Sequence, residues 1–275
     1  MKKNYIKNKI QLFSALVVLS ALFFGCEADE FQKVENRNWQ LTWSDEFDGV
    51  EGELPNPEFW NFDLGSGEGG WGNAELQNYT NSPQNIAIDS VGNLVITAIQ
   101  DGSYTSARIN TKGLFEQQYG RFEARLKTPF GPGLWPAFWL IGANIDEVSW
   151  PQCGEIDIME LRGQQPHIIN GTLHGPGYSG GNPISKSYAL YNQRFDTEFH
   201  IFAIEWDENK IDFFVDDFLY HRVEKQDVPG EWVYDQPFFI ILNVAVGGNY
   251  VGFPTTGTPF PQKMIIDYVR VYKEI

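Results

Sequence analysis

Three carboxylic acids, Glu155, Asp157 and Glu160, are interleaved with large apolar residues in a segment that begins at Gly154. This pattern predicts a β-strand with one face in a core and the other face in a cleft. Strict alternation would put position 159 on the acidic face, but residue 159 is methionine and the third acid comes one position later. We therefore predict a β-bulge between Asp157 and Glu160, because a bulge absorbs one extra residue and returns all three acids to one face.

The spacing of the two glutamates predicts how far apart their carboxyl groups lie, and this distance indicates a type of catalysis. With one residue absorbed, their Cα atoms lie four strand steps apart, and side chains that lean toward each other leave about 5–6 Å between the carboxyl groups. Retaining glycosidases hold two carboxyl groups about 5–5.5 Å apart, one to attack the sugar and one to donate a proton. The alternative is a half-exposed strand with acids on its solvent face, which the poor strand propensity of acids and their mutual repulsion disfavour.

Asp157, between the two glutamates, can act as a helper residue, meaning one that supports the catalytic roles of both. A hydrogen-bonded neighbour orients a nucleophilic carboxylate and raises the pKa of the partner acid. Three acids this close cannot all ionise freely, so we expect them to titrate as a unit. The alternative is a strand-edge acid paired with an arginine, for which the candidates are Arg108, Arg121 and Arg125.

Aromatic residues near the acids suggest a glycan. Trp135 and Trp139 are four residues apart and would share one face of a regular strand; their rings could stack on pyranose rings, or both could belong to the core. His174 ends a predicted strand before a loop rich in glycine and proline, where functional residues gather, although a lone histidine is commonly structural. The glycine-rich stretch 65–72 carries Trp71 and is interpreted either as a linker or as a loop at the cleft edge.

Composition restricts the substrate. The chain has 275 residues and a formal net charge of −16, which becomes −20 (16 basic minus 36 acidic residues) if an N-terminal segment with four lysines and no acids is removed. Such a surface repels nucleic acid and anionic polymers, so we expect a neutral substrate; sulfated galactans would need a local basic patch. The sequence lacks motifs for a zinc site, a cysteine nucleophile, a phosphate-binding loop or a serine-hydrolase elbow.

The first 25 residues begin with lysines and contain an apolar run from Leu12 to Phe24 that is short for a membrane span. They resemble a bacterial lipoprotein signal, which implies that Cys26 becomes the lipidated first residue. The alternative is an ordinary secretory peptide. We expect an exported protein, anchored at the outer membrane or cell surface of a Gram-negative bacterium, or else secreted. Cys153 would then have no disulfide partner, and the polar residues 26–38 are predicted to form a tether.

The remaining residues, 39–275, are dense in aromatics and glycines, with no repeat or composition break, and are predicted to form one all-β domain. Many short strands separated by turn signals, with no long helical period, favour a β-sandwich or jelly roll. The predicted strands are 93–99, 121–128, 134–141, 155–161, 169–174, 199–206, 210–215, 218–222, 238–246 and 263–272.

Motifs along the chain resemble those of glycoside hydrolase family 16, and within it the laminarinase (endo-1,3-β-glucanase) branch. They are Trp43-Ser-Asp-Glu-Phe47, Asn73-Ala-Glu-Leu-Gln77, Trp135-Pro-Ala-Phe-Trp139, Trp150-Pro-Gln-Cys-Gly-Glu155, Ile156-Asp-Ile-Met-Glu160, Gly171-Thr-Leu-His-Gly175, Leu242-Asn-Val-Ala-Val-Gly-Gly248 and Asp267-Tyr-Val-Arg-Val-Tyr272. The gap from Glu155 to Glu160 matches the bulged form; lichenases of the family have a gap one residue shorter.

The resemblance implies a jelly-roll β-sandwich of two antiparallel sheets, with the substrate cleft across the concave sheet. It implies that Glu155 is the nucleophile, Glu160 the general acid/base and Asp157 the helper, with no cofactor needed for catalysis. It assigns sugar subsites to Trp135, Trp139, His174, Arg108, Glu75, Asn73 and Trp71. A structural Ca²⁺ that often occurs in the family would be held by Glu46, the backbone of Gly92 and Asp267, all of which are oxygen donors.

We therefore expect a monomer that hydrolyses internal β-1,3-glucosidic bonds of laminarin-type glucans with retention. A mixed-linkage β-1,3-1,4-glucanase on the same scaffold is the closest alternative; agarose and carrageenan are disfavoured by the acidic surface and by the motif around His174. A non-catalytic glycan-binding surface lipoprotein is a further alternative, which the presence of all three acids disfavours.

Overall fold

Two β-sheets dominate the computed structural model, which describes residues 34–275. The strands, numbered in chain order, are β1 Trp39–Asp45, β2 Asn61–Phe62, β3 Asn78–Tyr79, β4 Ile86–Ile88, β5 Leu94–Asp101, β6 Ser103–Ser106, β7 Arg108–Asn110, β8 Gly120–Lys127 and β9 Leu134–Gly142. They continue with β10 Glu155–Leu161, β11 Ile168–His174, β12 Ile184–Ala189, β13 His200–Trp206, β14 Lys210–Val215, β15 Phe218–Glu224, β16 Phe238–Val246 and β17 Gln262–Glu274. Helical structure in this part of the chain is limited to single turns at Gly70–Ala74, Ala143–Asp146 and Lys225–Asp227.

The larger sheet has the order β15-β14-β13-β8-β17-β5-β6-β3, with β1 also paired to β17 and β4 to β5. The smaller sheet has the order β12-β11-β10-β9-β16-β7-β2 and therefore holds the acidic strand β10 near its middle. Within residues 34–275 the named strands pair antiparallel, apart from the short parallel pair β3 and β6. The predicted all-β sandwich is confirmed.

A single large core lies between the sheets. It includes Phe122, Phe202 and Phe213 from the larger sheet and Phe138, Ile156 and Leu242 from the smaller one, each with no exposed surface. Burying a side chain of this size stabilises the fold by roughly 1.5–3 kcal/mol. Strand β16 is buried along its whole length, because a second small cluster with Ile141 and Cys153 covers its other face. This double burial explains why β16 is almost continuously apolar in sequence.

All ten predicted strands are present, and those at 155–161, 210–215 and 238–246 have the predicted bounds. The strands that sequence reasoning missed are β1 to β4, β6, β7 and β12. Most of them have two to four residues, and β12 is a largely exposed edge strand with little apolar pattern. Such strands are stabilised by pairing with neighbouring strands, and their own sequences show little β-strand pattern.

The predicted signal peptide and Cys26 lie outside the described residues. Of the predicted tether, residues 34–38 are described, and they belong to the same compact unit as the domain, Val34–Ile275. Arg37 makes ion pairs with Asp207 and Glu274, and its side chain is 6% exposed. The end of the tether is therefore fixed on the domain. None of the helical segments described in residues 34–275 has the length and hydrophobicity of a transmembrane helix.

Candidate active site

The predicted bulge in β10 is present and lies between Asp157 and Glu160. Asp157 pairs with Thr172 and Glu160 pairs with Asn170, so two residues of β10 stand opposite one residue of β11 between these pairs. These two β10 residues, Ile158 and Met159, are buried in the core. The bulge thus turns the apolar residues inward and leaves the three acids on the opposite face of the sheet.

Glu155 lies at the beginning of β10 among hydrogen-bond donors. The indole Nε1–H of Trp150 donates to its Oε2 at 2.8 Å. Nε2 of His174 lies 3.8 Å from its Oε1, and a hydrogen bond links the carboxyl groups of Glu155 and Asp157. The Trp150 donor and the nearby His174 lower the pKa of Glu155, whereas its hydrogen bond with Asp157 raises it.

Glu160 is held by a different group of aromatic residues. The indole Nε1–H of Trp135 donates to its Oε1 at 2.9 Å. The Trp135 ring packs against Tyr250 with 5.0 Å between ring centroids, and the Tyr250 hydroxyl accepts a hydrogen bond of 2.7 Å from Asn170. Because Asn170 is also the cross-strand partner of Glu160, this network fixes the acid from two sides.

The three acids lie together, Asp157 and Glu160 buried and Glu155 half-buried, and this changes their ionisation. Burial and the charge of Asp157 raise the pKa of Glu155 to about 8, and burial and the charge of Glu155 raise the pKa of Glu160 to about 7. Burial and the charge of Glu160 raise the pKa of Asp157 well above its ordinary range. Acids in contact release their protons as a group, so a carboxylate and a neutral carboxylic acid coexist near neutral pH.

Arg108 lies between two tryptophans, Trp71 and Trp139. Its guanidinium carbon is 4.7 Å from the ring centroid of Trp71 and 4.8 Å from that of Trp139. Its Nε is 2.8 Å from a carboxylate oxygen of Asp63, and the Trp139 indole donates to Asn243 at 2.8 Å. This cation–π sandwich fixes both rings and leaves the terminal nitrogens of Arg108 as donors.

Glu75 and Asn73 lie beside this sandwich. Glu75 accepts hydrogen bonds from Gln77 at 2.6 Å and from the Tyr79 hydroxyl at 3.3 Å, and Asn73 is 3.5 Å away. Burial raises the pKa of Glu75, although the nearby charge of Arg108 opposes the rise. The predicted subsite residues thus assemble into two groups, one around Arg108 and one around the acids; their contacts with sugar stay a prediction.

His174 lies against the acids. Its Nε2 is 3.3 Å from Oδ2 of Asp157, and ligand atoms of His174, Asp157 and Glu155 lie within 4.8 Å of one another, a spacing that a metal ion could bridge. However, the backbone N–H of Gly180 donates to Nδ1 of His174 at 3.2 Å, so the ring proton is on Nε2. A metal bound at Nε2 would require that proton on Nδ1. The hydrogen bond from Gly180 therefore favours a proton on Nε2 of His174 over a metal ion bound at that atom.

The carboxylates of the predicted calcium ligands Glu46 and Asp267 are held by arginines. Both carboxylate oxygens of Glu46 accept hydrogen bonds from Arg270, at 2.9 and 2.8 Å, and Asp267 is paired with Arg125. Gly92 contributes only backbone atoms, at a turn with φ of 81°. Because arginines neutralise both carboxylates in this structure, the ion pairs disfavour calcium there; the calcium site stays a prediction, and no catalytic step depends on it.

Three residues of the site were not assigned a role by sequence reasoning: Trp150, Tyr250 and Asn243. Trp150 was visible as the first residue of the motif that contains Glu155. Asn243 is the one polar residue in the nine of β16, and a polar residue in a buried strand signals a specific hydrogen bond. For Tyr250 we find no sequence signal, because its contact with Trp135 depends on a loop far along the chain.

Comparison with known proteins places this site in a family. The profile described as Glycosyl hydrolases family 16 matches residues 73–270. The chain is 38% identical over 271 residues to a beta-glucanase of Rhodothermus marinus, covering 93% of each protein. It is also 30% identical over 280 residues to an endo-1,3-1,4-beta-glycanase of Rhizobium meliloti, covering 92% of this chain and 57% of that protein.

Among solved structures, the laminarinase catalytic domain from Thermotoga maritima superposes with a TM-score of 0.81 at 49% sequence identity, covering 86% of this chain and 99% of that chain. The predicted jelly-roll fold and the predicted family are confirmed.

Proposed function

Because the chain belongs to glycosyl hydrolase family 16, we propose that it hydrolyses internal β-1,3-glucosidic bonds of laminarin-type glucans with retention of anomeric configuration. The observation that carries the proposal is the bulge of β10, which brings the half-buried Glu155 and the buried Asp157 and Glu160 together on one face of the smaller sheet. The similarity to proteins named as laminarinase and beta-glucanase supports the substrate class.

In the first step, the carboxylate of Glu155 attacks the anomeric carbon while the carboxylic acid of Glu160 protonates the departing glycosidic oxygen. The bond from the anomeric carbon to that oxygen breaks, and a glycosyl ester with Glu155 forms. Glu160 must be protonated and Glu155 ionised for this step. The raised pKa of Glu160, about 7, favours its proton; for Glu155, burial raises the pKa to about 8, and His174 and Trp150 act against this rise.

In the second step, the ionised Glu160 removes a proton from water, and the resulting hydroxide attacks the anomeric carbon. The ester bond breaks, Glu155 leaves as a carboxylate, and Glu160 regains its proton. Two inversions give net retention. Trp135 donates to Glu160 throughout and so limits how far the acid can move between its two roles.

The sugar chain is proposed to lie along the cleft over Trp139 and Trp135. These half-buried rings are fixed by hydrogen bonds to Asn243 and Glu160, so little side-chain entropy is lost when a sugar stacks on them. Arg108 offers donors to sugar hydroxyls between Trp71 and Trp139. Catalysis by these residues requires no cofactor in this proposal.

Substrate preference can be measured directly. We expect laminarin to be cleaved to β-1,3-linked oligosaccharides, with a higher kcat/KM than lichenan and with no products from agarose or carrageenan. The acidic chain, of formal net charge −16, disfavours anionic galactans. Product analysis of early digests by mass spectrometry tests this; cleavage of lichenan at a rate equal to or above that of laminarin would favour the mixed-linkage alternative.

We also propose that the protein is exported and anchored through a lipid on Cys26, with the catalytic domain acting as a monomer. The lysine-rich start, the apolar run and the Gly25-Cys26 pair support the anchor. Cys26→Ala should move the protein from the membrane fraction to the soluble fraction, whereas Cys153→Ala should leave it in the membrane. Retention of the Cys26→Ala variant in the membrane would contradict the anchor.

A further inference from the structure

The ring of Tyr250 packs against two groups, the indole of Trp135 and the guanidinium of Arg162. The ring centroids of Tyr250 and Trp135 are 5.0 Å apart, and the guanidinium carbon of Arg162 lies 4.2 Å from the Tyr250 centroid. Nε of Arg162 is buried without a hydrogen-bond partner, so its contact with the aromatic ring helps to stabilise this cation. The Tyr250 ring is therefore held by an aromatic and by a cationic neighbour.

The hydroxyl group of Tyr250 is tied to β11. It accepts a hydrogen bond of 2.7 Å from Nδ2 of Asn170. Oγ of Ser187, on the neighbouring strand β12, donates to Oδ1 of Asn170 at 2.6 Å. The bond from Ser187 determines which end of the Asn170 amide faces Tyr250, because only the nitrogen of an amide can donate. The hydroxyl end of Tyr250 is thus fixed as well as its ring.

The loop after β16, which carries Tyr250, is anchored to the ends of two other strands. The backbone N–H of Gly247 donates to the carbonyl of Gly133 at 2.7 Å, and the side-chain amide of Gln164 donates to the carbonyl of Val251 at 2.9 Å. Gly133 immediately precedes β9, and Gln164 follows the end of β10. The loop is therefore held against the two strands that carry the indole donor and the acid.

The three neighbours of Tyr250 are all linked to Glu160. Nε1–H of Trp135 donates to Oε1 of Glu160 at 2.9 Å. Arg162 is two residues beyond Glu160 in the chain, and Asn170 is the cross-strand partner of Glu160. A hydrogen bond holds an acid in one place only if its donor is itself held, and Tyr250 packs on the indole that supplies this donor.

On this basis, and resting on the proposed retaining mechanism, we propose that Tyr250 is a positioning residue for the general acid. By holding the indole of Trp135 against Glu160, it fixes the carboxyl group where its proton can pass to the departing glycosidic oxygen as the bond from that oxygen to the anomeric carbon breaks. Tyr250 transfers no proton itself, because burial raises the pKa of its hydroxyl and keeps it neutral.

The expected effect depends on the leaving group. A general acid contributes about 10²- to 10⁴-fold to the rate, and an error of about 1 Å in its position can cost about 100-fold. A phenol leaving group needs the proton, whereas 2,4-dinitrophenol departs as a stable anion without it. Aryl β-laminaribiosides with these two leaving groups have the same sugars and have none beyond the cleaved bond, so they isolate the role of the acid.

The test measures kcat/KM on both aryl glycosides. Tyr250→Leu, which removes the ring, should lower it about 10- to 100-fold for the phenyl glycoside and less than about 3-fold for the dinitrophenyl glycoside. Tyr250→Phe keeps the ring and should retain most of the activity on both. Arg162→Met removes the cation but leaves the ring, and should give a smaller loss with the same selectivity; it supplies the same test if Tyr250→Leu does not fold. Tyr191→Leu, at a tyrosine that is 89% exposed, is the matched control and should equal the wild type.

A double variant tests whether the effect passes through Trp135. In a Trp135→Phe background, which lacks the indole donor, Tyr250→Leu should add little further loss on the phenyl glycoside. The inference is overturned if the two losses multiply fully, or if Tyr250→Leu lowers kcat/KM equally on both aryl glycosides, which indicates a general distortion or a sugar contact on the nucleophile side. It is also overturned if both aryl glycosides are spared while KM for laminarin rises, which indicates a sugar contact beyond the cleaved bond. Failure of the wild type on laminarin would instead refute the proposed function.

Discussion

Glu155→Gln and Glu160→Gln are each expected to lower kcat on laminarin by about 10³-fold or more, because each removes one of the two groups that make or break a bond to the sugar. Both amides keep the shape of the side chain and can still accept from Trp150 or Trp135, so binding of laminarin should change little. Steady-state kinetics, with affinity measured by calorimetry, separates the two effects. Near-normal turnover in either variant would refute the role of that residue.

Variants in which glycine replaces Glu155 or Glu160 distinguish the nucleophile from the general acid/base. In Glu155→Gly, azide can enter the vacated space and attack an activated aryl glycoside, which should give an α-glycosyl azide. In Glu160→Gly the covalent step still proceeds with an activated leaving group, and azide then attacks the glycosyl ester to give a β-glycosyl azide. If Glu155→Gly gave the β-glycosyl azide and Glu160→Gly the α-glycosyl azide, the roles of the two glutamates would be reversed. Glu147→Gln, at an exposed acid, is the matched control.

The second large effect concerns stability and its dependence on pH. A buried acid whose pKa is raised in the folded state stabilises the fold below its ordinary pKa and loses that contribution as pH rises through the folded value. For Glu160 the pKa rises from 4.5 to about 7, which corresponds to about 3 kcal/mol lost between pH 5 and pH 9. Glu155 and Asp157 act in the same direction. The wild type should therefore become less stable across this range.

Glu160→Gln removes this loss of stability at high pH, because a glutamine side chain does not ionise. The variant and the wild type should unfold at similar temperatures at pH 5, whereas at pH 9 the variant should be more stable by about 3 kcal/mol, or about 6–12 °C for a domain of this size. Differential scanning calorimetry at both pH values measures this difference. A gap that does not grow with pH, or a less stable variant at pH 9, would contradict the burial of these acids. Glu147→Gln should show no comparable gap.

The acidic strand could be predicted from the sequence because its signal is local. The order of acids and apolar residues around Asp157 determines the face of each side chain, and Met159, at a position where strict alternation requires an acid, indicates the bulge. Long strands such as β16 were found for the same reason, since several consecutive apolar residues indicate burial on both faces.

What could not be predicted depends on contacts between distant segments. Arg108 was expected near the subsites, but its position between Trp71 and Trp139 results from the glycine-rich loop folding over β7 and β9. Trp71 itself has a φ of 55°, a conformation that its own residue type does not favour. The contact of His174 with Asp157 likewise depends on the pairing of β10 with β11 and on Gly180.

The calcium site stays a prediction that rests on ligand type carried over by resemblance. Glu46 and Asp267 have the right chemistry as oxygen donors, and in this structure each is paired with an arginine, Arg270 or Arg125. Ligand type alone does not define a metal site; the charges around it decide whether the oxygens are available.

The central claim is that Glu155 forms the covalent bond to the sugar. Incubation with a 2-deoxy-2-fluoro β-laminaribiosyl fluoride should trap the glycosyl-enzyme, because the fluorine slows both steps and the good leaving group preserves the first. Peptide mass spectrometry should then find the added disaccharide on Glu155. A label on Glu160, or time-dependent inactivation with no label on either glutamate, would contradict the account.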